Sequence, residues 1–310
     1  MSVGICVNNI TRCGFHTSRI LRSHGIRNKS LDLAYKLIPY TLKDKNPGPI
    51  LIMHGLFGNK MNNRYIGQKL HTRLKRDVYL LDLRNHGESP INEEHTYDLM
   101  SADVMNFLKQ HGLKDSILIG HSMGAKVAME ATILEDRKHP KEDMVKMCVS
   151  IENAPVTTLP LGKFIKYIDV LNHIIYSSEE YGNKEITEKL AEIEDNLMVR
   201  QFLKSLIKRD PQTKKYKSKI PLEILKKAII SGKISEWTVL AQDRLCNVPI
   251  LFIRGVNSGF IADEYIHGIS QYFSQFEIRD INDAGHWVNA EKPEECIENI
   301  VEFVERHGEE

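Results

Sequence analysis

Within the run LIGHSMGAK, from Leu118 to Lys126, one serine stands between two glycines in the frame Gly120-His121-Ser122-Met123-Gly124. The apolar lead-in SILI precedes it and the helix-forming stretch AKVAMEATILE follows it. A strand that turns sharply into a helix strains the serine backbone and lifts its Oγ clear of the sheet. The residues two before and two after must be small for such a turn to close, and Gly120 and Gly124 are. The chemistry this implies is nucleophilic attack by Ser122 on a carbonyl. The Met123 amide, at a helix N-terminus, is placed to donate to the resulting oxyanion.

A serine hydroxyl needs a base. Of the 13 histidines, His286 lies in NDAGHWVNAEKPEE, between the last strand-like run and the final helical one. A loop there ends on the same sheet edge as the Ser122 turn. His71, His111 and His267 fall inside helical patterns and read as surface or packing residues, whereas His54 and His121 read as shaping turns. The second oxyanion donor is expected from HGLFGNKMNN, where His54-Gly55 makes a tight exit from a buried strand and offers the Leu56 amide. In DLRNHGESP, a comparable turn, Arg84, His86 and Ser89 read as locks on neighbouring loops.

The acid that orients His286 has more than one candidate. Glu152, in SIENAP, ends the strand that follows the nucleophile helix and has the better placement. Asp263, in GVNSGFIADEY, is the alternative, and Asp283 is a third carboxylate near the histidine. Ser258 occupies a position usually acidic at such a strand end, from which it can hydrogen-bond the acid or the imidazole.

These residues need a scaffold that brings strand ends together. Strand-like runs ILIM (50–53), VYLLDL (78–83), SILIG (116–120), MCVSIE (147–152), PILFIR (249–254) and FEIRDI (276–281) alternate with helical patterns. That alternation predicts a mostly parallel sheet with helices on both faces, and LDLAYKLIP (31–39) reads as an antiparallel edge strand or hairpin arm. Open sheets of this kind bind ligands outside the carboxyl ends of their strands, where all these candidates cluster. Residues 156–247 break the alternation with helical periodicity alone, and are read as a helical cap between core segments 31–155 and 248–307. The basic run KRDPQTKKYKSK (208–219) reads as a solvated loop, with the phosphate-bearing end of a substrate such as coenzyme A as the functional alternative.

Through HGLFG, DLRNHGES, GHSMGAK, SIENAP and DAGHWVNAEKP, residues 31–307 resemble the α/β-hydrolase superfamily. Within it the chain is similar to a mitochondrial branch of abhydrolase-domain proteins, with short-chain bacterial esterases, fungal mitochondrial serine hydrolases and yeast ethanol acetyltransferases among its relatives. The resemblance implies an α/β-hydrolase fold with a helical cap, and acyl transfer from an ester or thioester through an acyl-serine. It implies as partner a small acyl ester or acyl-CoA, and no cofactor or metal. In that branch the acid follows the strand after the nucleophile helix, as Glu152 does. Aspartate is usual there, and the longer glutamate requires the backbone to retreat. A catalytically silent binding or assembly protein would be expected to have lost one of these motifs.

Composition narrows the classes further. Of 310 residues, 42% are hydrophobic and 27% charged, enough for a sizeable core. Lys and Arg number 42 against 41 acidic residues, so charge provides no basis for nucleic-acid binding. No apolar run approaches the roughly 18 residues of a membrane-spanning helix. Cys6, Cys13, Cys148, Cys246 and Cys296 are odd in number and widely spaced, the pattern of reduced thiols. Residues 1–30 carry Arg12, Arg19, Arg22, Arg27 and Lys29 with no acidic residue, the composition of a mitochondrial presequence directing the protein to the matrix. A fluorescent protein fused behind these residues is expected in mitochondria; cytosolic fluorescence would overturn that reading.

Overall fold

The computed structural model describes residues 30–41, 47–138, 144–158, 162–178 and 181–308. The presequence proposed for residues 1–30, with Cys6 and Cys13, lies outside the described residues except for Ser30. Seven strands form one sheet in the order β1-β3-β2-β4-β5-β8-β9. They are β1 (Tyr35–Ile38), β2 (Ile50–Met53), β3 (Val78–Leu81), β4 (Ser116–His121), β5 (Val145–Ile151), β8 (Ile250–Gly255) and β9 (Phe276–Ile281). β1 runs antiparallel to β3 at one edge, and the remaining pairings are parallel.

The central strands have no polar face. Every residue of β2, β3 and β4 is buried, because helices cover the sheet on both sides and leave no reason for alternation. Side chains that alternate along the strands therefore feed two cores. Leu51, Met53, Leu118 and Cys148 face one core with α2 (Tyr97–Gln110) and α3 (Met123–Lys138). Ile50, Ile52, Ile117 and Ile119 face the other with α1 (Arg64–Leu74) and α10 (Pro293–Gly308).

Between β5 and β8 lie α4 (Gly162–Tyr176), α5 (Asn183–Ala191), α6 (Leu197–Ser205) and α7 (Leu222–Ile230). The helical periodicity of 184–209 is broken at Asn196, whose side chain accepts from the Met198 and Val199 amides at 2.9 and 3.4 Å and starts α6 afresh. The basic run is not a loop throughout. β6 (Ile207–Arg209) pairs antiparallel with β7 (Tyr216–Ser218), a hairpin that helical periodicity could not reveal. Asp210 organises its turn by accepting from the Gln212 and Thr213 amides at 3.0 and 2.9 Å. After β8, a 3-10 turn, Asp263–Tyr265, runs into α8 (Ile266–Ser270). The short α9 (Val288–Glu291) follows β9. No described helix is long and apolar enough to cross a membrane.

The loop after β3 is locked by buried polar groups. Arg84 pairs with Asp103 of α2 through Nε and Nη2 at 2.7 and 2.8 Å, with both side chains almost wholly buried. Asp103 also accepts from the Leu31 amide at 2.7 Å, tying the segment before β1 to the same point. Ser89 donates to the Asp82 carbonyl at 2.6 Å and accepts from the Ala34 amide at 2.8 Å. Replacing Arg84 by Met strands the Asp103 carboxylate in the core, and is expected to cost about 3–5 kcal/mol. Urea unfolding of Arg84→Met measures this, and a loss below about 1 kcal/mol would show that the pair is not a lock.

Candidate active site

Ser122 is the residue between β4 and α3, and its φ of 53° places it in the left-handed region. Its own amide donates to the Ile151 carbonyl of β5 at 2.8 Å, and its carbonyl starts α3 by accepting from Ala125 and Lys126. A side chain on Gly120 would lie 2.1 Å from the Gly124 carbonyl oxygen, and one on Gly124 would lie 2.6 Å from the His54 carbonyl oxygen. Both glycines are required because backbone presses on backbone across the turn.

His286 Nε2 lies 2.9 Å from Ser122 Oγ. Its Nδ1 lies 3.4 Å from Glu152 Oε2, a spacing at the long end of a hydrogen bond and common before substrate tightens a site. Glu152 sits just past β5 with a φ of 61°, and its carboxylate is fully buried. Its Oε1 accepts from the Gly255 amide at 2.6 Å and its Oε2 accepts from the Ser258 hydroxyl. Burial raises the carboxyl above its ordinary value, while the Ser258 and Gly255 bonds pull it back. Ser258 is thus brought into contact with Glu152.

The alternative acids stand elsewhere. Asp263 is paired with Arg254, its side chain 83% exposed, and Asp283 is exposed at the turn after β9. Neither reaches His286. The imidazole itself is packed against Phe260, stacked at 3.9 Å between ring centres, and Trp287, edge-on at 5.4 Å. These two aromatics leave no periodic trace in the sequence, since both lie in irregular loops.

Leu56 and Met123 line the space beside Ser122, and among the described residues no hydrogen bond from either backbone amide to a protein acceptor is present outside the helices and strands. Two neutral histidines hold the loop that carries Leu56. His54 Nε2 accepts from the Leu83 amide at 3.0 Å, so its Nδ1–H donates to the Gly55 carbonyl at 2.8 Å. His86 accepts from the Phe57 amide at 3.0 Å and donates to the Arg84 carbonyl at 2.9 Å. His121 donates through Nε2 to the His286 carbonyl at 2.8 Å. Burial lowers all three, His121 to about 4, which keeps them uncharged turn-shapers. Asn153 was missed by sequence reasoning, although it lies in SIENAP; its Nδ2 donates to the Ser122 carbonyl at 3.1 Å.

Two cavities meet at Ser122. The larger, of about 180 Å³, is lined by His54, His286 and Trp287 and roofed by Phe164 of α4 and Met198 and Phe202 of α6. The smaller, of about 20 Å³, lies among Tyr97, Met123, Thr158, Ile234 and Phe260. The cations of the β6–β7 hairpin line neither. No cluster of three or more metal-ligating side chains occurs among the described residues.

Residues 48–293 match the family model for the alpha/beta hydrolase fold. The chain belongs to that family. It is 43% identical to the "Probable alcohol acetyltransferase" of Saccharomyces cerevisiae, over 97% of this chain and 91% of that one. It is 31% identical to the sn-1-specific diacylglycerol lipase ABHD11 of Xenopus laevis, over 97% and 89%. Among solved structures, an esterase of a marine microorganism superposes with a TM-score of 0.76 at 33% identity, covering 88% of this chain and all of the other. The mostly parallel sheet and helical layers agree with this membership.

Burial lowers the His286 imidazole to about 3. A base acts in its neutral form, present above its pKa and lost as pH falls through it. The acid limb of kcat/KM for a neutral ester is therefore expected well below pH 6.5, the ordinary histidine value. A midpoint at or above pH 6.5 would show that His286 is not so enclosed.

Proposed function

We propose that this α/β hydrolase is a serine enzyme that transfers short acyl groups from esters or thioesters through an acyl-serine. The observation that carries the reading is the continuous chain from Ser122 Oγ through His286 to the buried Glu152 carboxylate. In this reading Ser122 Oγ attacks the substrate carbonyl and His286 Nε2 takes its proton. The Leu56 and Met123 amides receive the oxyanion. His286, now cationic and steadied by Glu152, gives the proton to the leaving alcohol or thiol. In the second half, His286 draws a proton from the incoming acceptor, which attacks the acyl-serine and frees the enzyme.

In this reading each half of the ester takes one of the two cavities. The leaving oxygen must lie beside His286 Nε2, so the alcohol takes the cavity of about 180 Å³ that His286 and Trp287 line. The acyl chain then points the other way, into the space of about 20 Å³ beside Met123. Since one water-sized group needs about 10–15 Å³ of such volume, that space suits an acyl tail little longer than acetyl. Residues 156–247 serve as the cap over both cavities, and the basic, acid-free residues 1–30 support a mitochondrial address.

Hydrolysis is the first reading. Acetyl transfer to an alcohol is the second, favoured by the 43% identical relative and by an alcohol-side cavity with an apolar roof. The two share every step up to the acyl-enzyme. The purified protein is expected to react with a fluorophosphonate probe, and Ser122→Ala to abolish labelling. Glu152→Ala is expected to lower kcat by on the order of 10³–10⁴, with Asp263→Asn near wild type. Acetyl-coenzyme A and p-nitrophenyl acetate turnover, with and without ethanol, separates the acceptors. Ethyl acetate matching or exceeding acetate release would place transfer first, and an unlabelled wild type would point to a silent binding protein.

A further inference from the structure

Lys126 closes the GHSMGAK motif, yet nothing in the acyl-transfer scheme uses it. It is one helical turn after Ser122, on the same face of α3, and its side chain is wholly buried. Its Nζ donates to the Ser235 carbonyl at 2.8 Å and approaches Thr158 Oγ1 at 3.4 Å. Nζ also lies 5.3 Å from the centre of the Tyr97 ring. Among the described residues no carboxylate pairs with it; Glu130, one turn further along α3, keeps a buried Oε2 without a partner.

Both acceptors belong to the two strands of chain that enter and leave the cap. Thr158 stands at the entry, where its amide donates to the Ser235 carbonyl at 3.0 Å, and Ser235 stands at the exit. Tyr97 donates to the neighbouring Ile234 carbonyl at 2.8 Å. Thr158, Ile234 and Tyr97 are walls of the small cavity beside Met123. Burial without an anion lowers the Lys126 amine to about 7, and a buried amine, charged or neutral, is costly to leave unpaired, so it holds to the few acceptors available to it. The side chain therefore fastens the cap stem to the nucleophile helix at the place where the acyl tail must end.

We infer that Lys126 is a positioning residue that, with Tyr97, pins Thr158 and the 234–235 segment against α3 and thereby sets the length of acyl chain accepted at Ser122. The inference rests on the reading of Ser122 as the acylated residue. It assigns selectivity to side chains that touch no reacting atom. Loosening the stem enlarges the acyl space while leaving Ser122, His286 and Glu152 in place.

The test compares kcat/KM for p-nitrophenyl acetate and p-nitrophenyl hexanoate in the full chain, with thermal unfolding measured alongside. Wild type is expected to prefer acetate. Lys126→Met, which keeps an unbranched chain of similar length, is expected to raise the hexanoate-to-acetate ratio by about tenfold, the scale of methylene discrimination in an apolar pocket. Tyr97→Phe removes only the hydroxyl tether to Ile234 and is expected to move the ratio the same way, which keeps the inference testable should Lys126→Met fail to fold. A merely structural lysine would lower the melting temperature and leave the ratio alone. A change below about twofold in the folded variants overturns the inference while leaving the acyl-serine reading intact. A wild type that cleaves neither ester overturns both.

Discussion

The turn at Ser122 is the constraint from which the rest of the site follows. A left-handed residue between β4 and α3 brings the strand end and the helix start into backbone contact, with room for nothing larger than hydrogen at Gly120 and Gly124. The Ile151 carbonyl of β5 holds the Ser122 amide, so the strain is borne by the most buried part of the sheet. Because the turn cannot relax, Ser122 Oγ projects at a fixed height above the strand ends and the Met123 amide faces the same space. The neighbouring loops must then be brought to it, and the structure does so with rigid polar ties. His54, His86 and His121 each use a ring nitrogen to hold a backbone group, and burial keeps them neutral.

The carboxylate behind His286 illustrates how environment sorts chemically equivalent candidates. Glu152 and Asp263 both follow strands of the sheet, and both lie between Ser122 and His286 in the chain. Glu152 has lost its water and is compensated by the Gly255 amide and the Ser258 hydroxyl, so its remaining interaction with the imidazole works in a medium of low dielectric. Asp263 lies in solvent and is already occupied by Arg254, where screening makes the pair weak. The extra methylene of glutamate relative to aspartate is accommodated at a left-handed residue, φ 61°, immediately after β5. Ser258, at a strand end where such folds usually carry an acid, supports the carboxylate instead of supplying one.

The segment between β5 and β8 gives the site its asymmetry. On the histidine side, α4 and α6 arch over an apolar cavity with Phe164, Met198 and Phe202. On the helix side, Thr158 and Ile234 come down close to α3 and leave little room. The contrast is physical in origin: a helical roof can stand off from the sheet, whereas a stem is tied where the chain crosses. Lys126, Tyr97 and Thr158 make those ties from buried groups whose hydrogen bonds would be costly to lose. A small space beside Met123 and a wider one beside His286 are the result.

Much of this was legible in the order of residues, because local rules govern it. Continuous apolar runs mark strands buried on both faces, and small residues about Ser122 mark the turn that only glycine permits. The placement of His286 after the last strand follows from the same alternation. The β6–β7 hairpin and the restart of a helix at Asn196 escaped, since a charged run with helical spacing carries no period-two signal. Asn153 and Lys126 lay inside recognised motifs without any local feature to separate them from packing residues. What tertiary structure alone decided is which groups meet: that Glu152 and not Asp263 reaches His286, that Phe260 stacks on the imidazole, and that Lys126 reaches the Ser235 carbonyl. Each of these depends on distances between segments dozens of residues apart and on which charges lose their water, and neither quantity is a property of spacing along the chain.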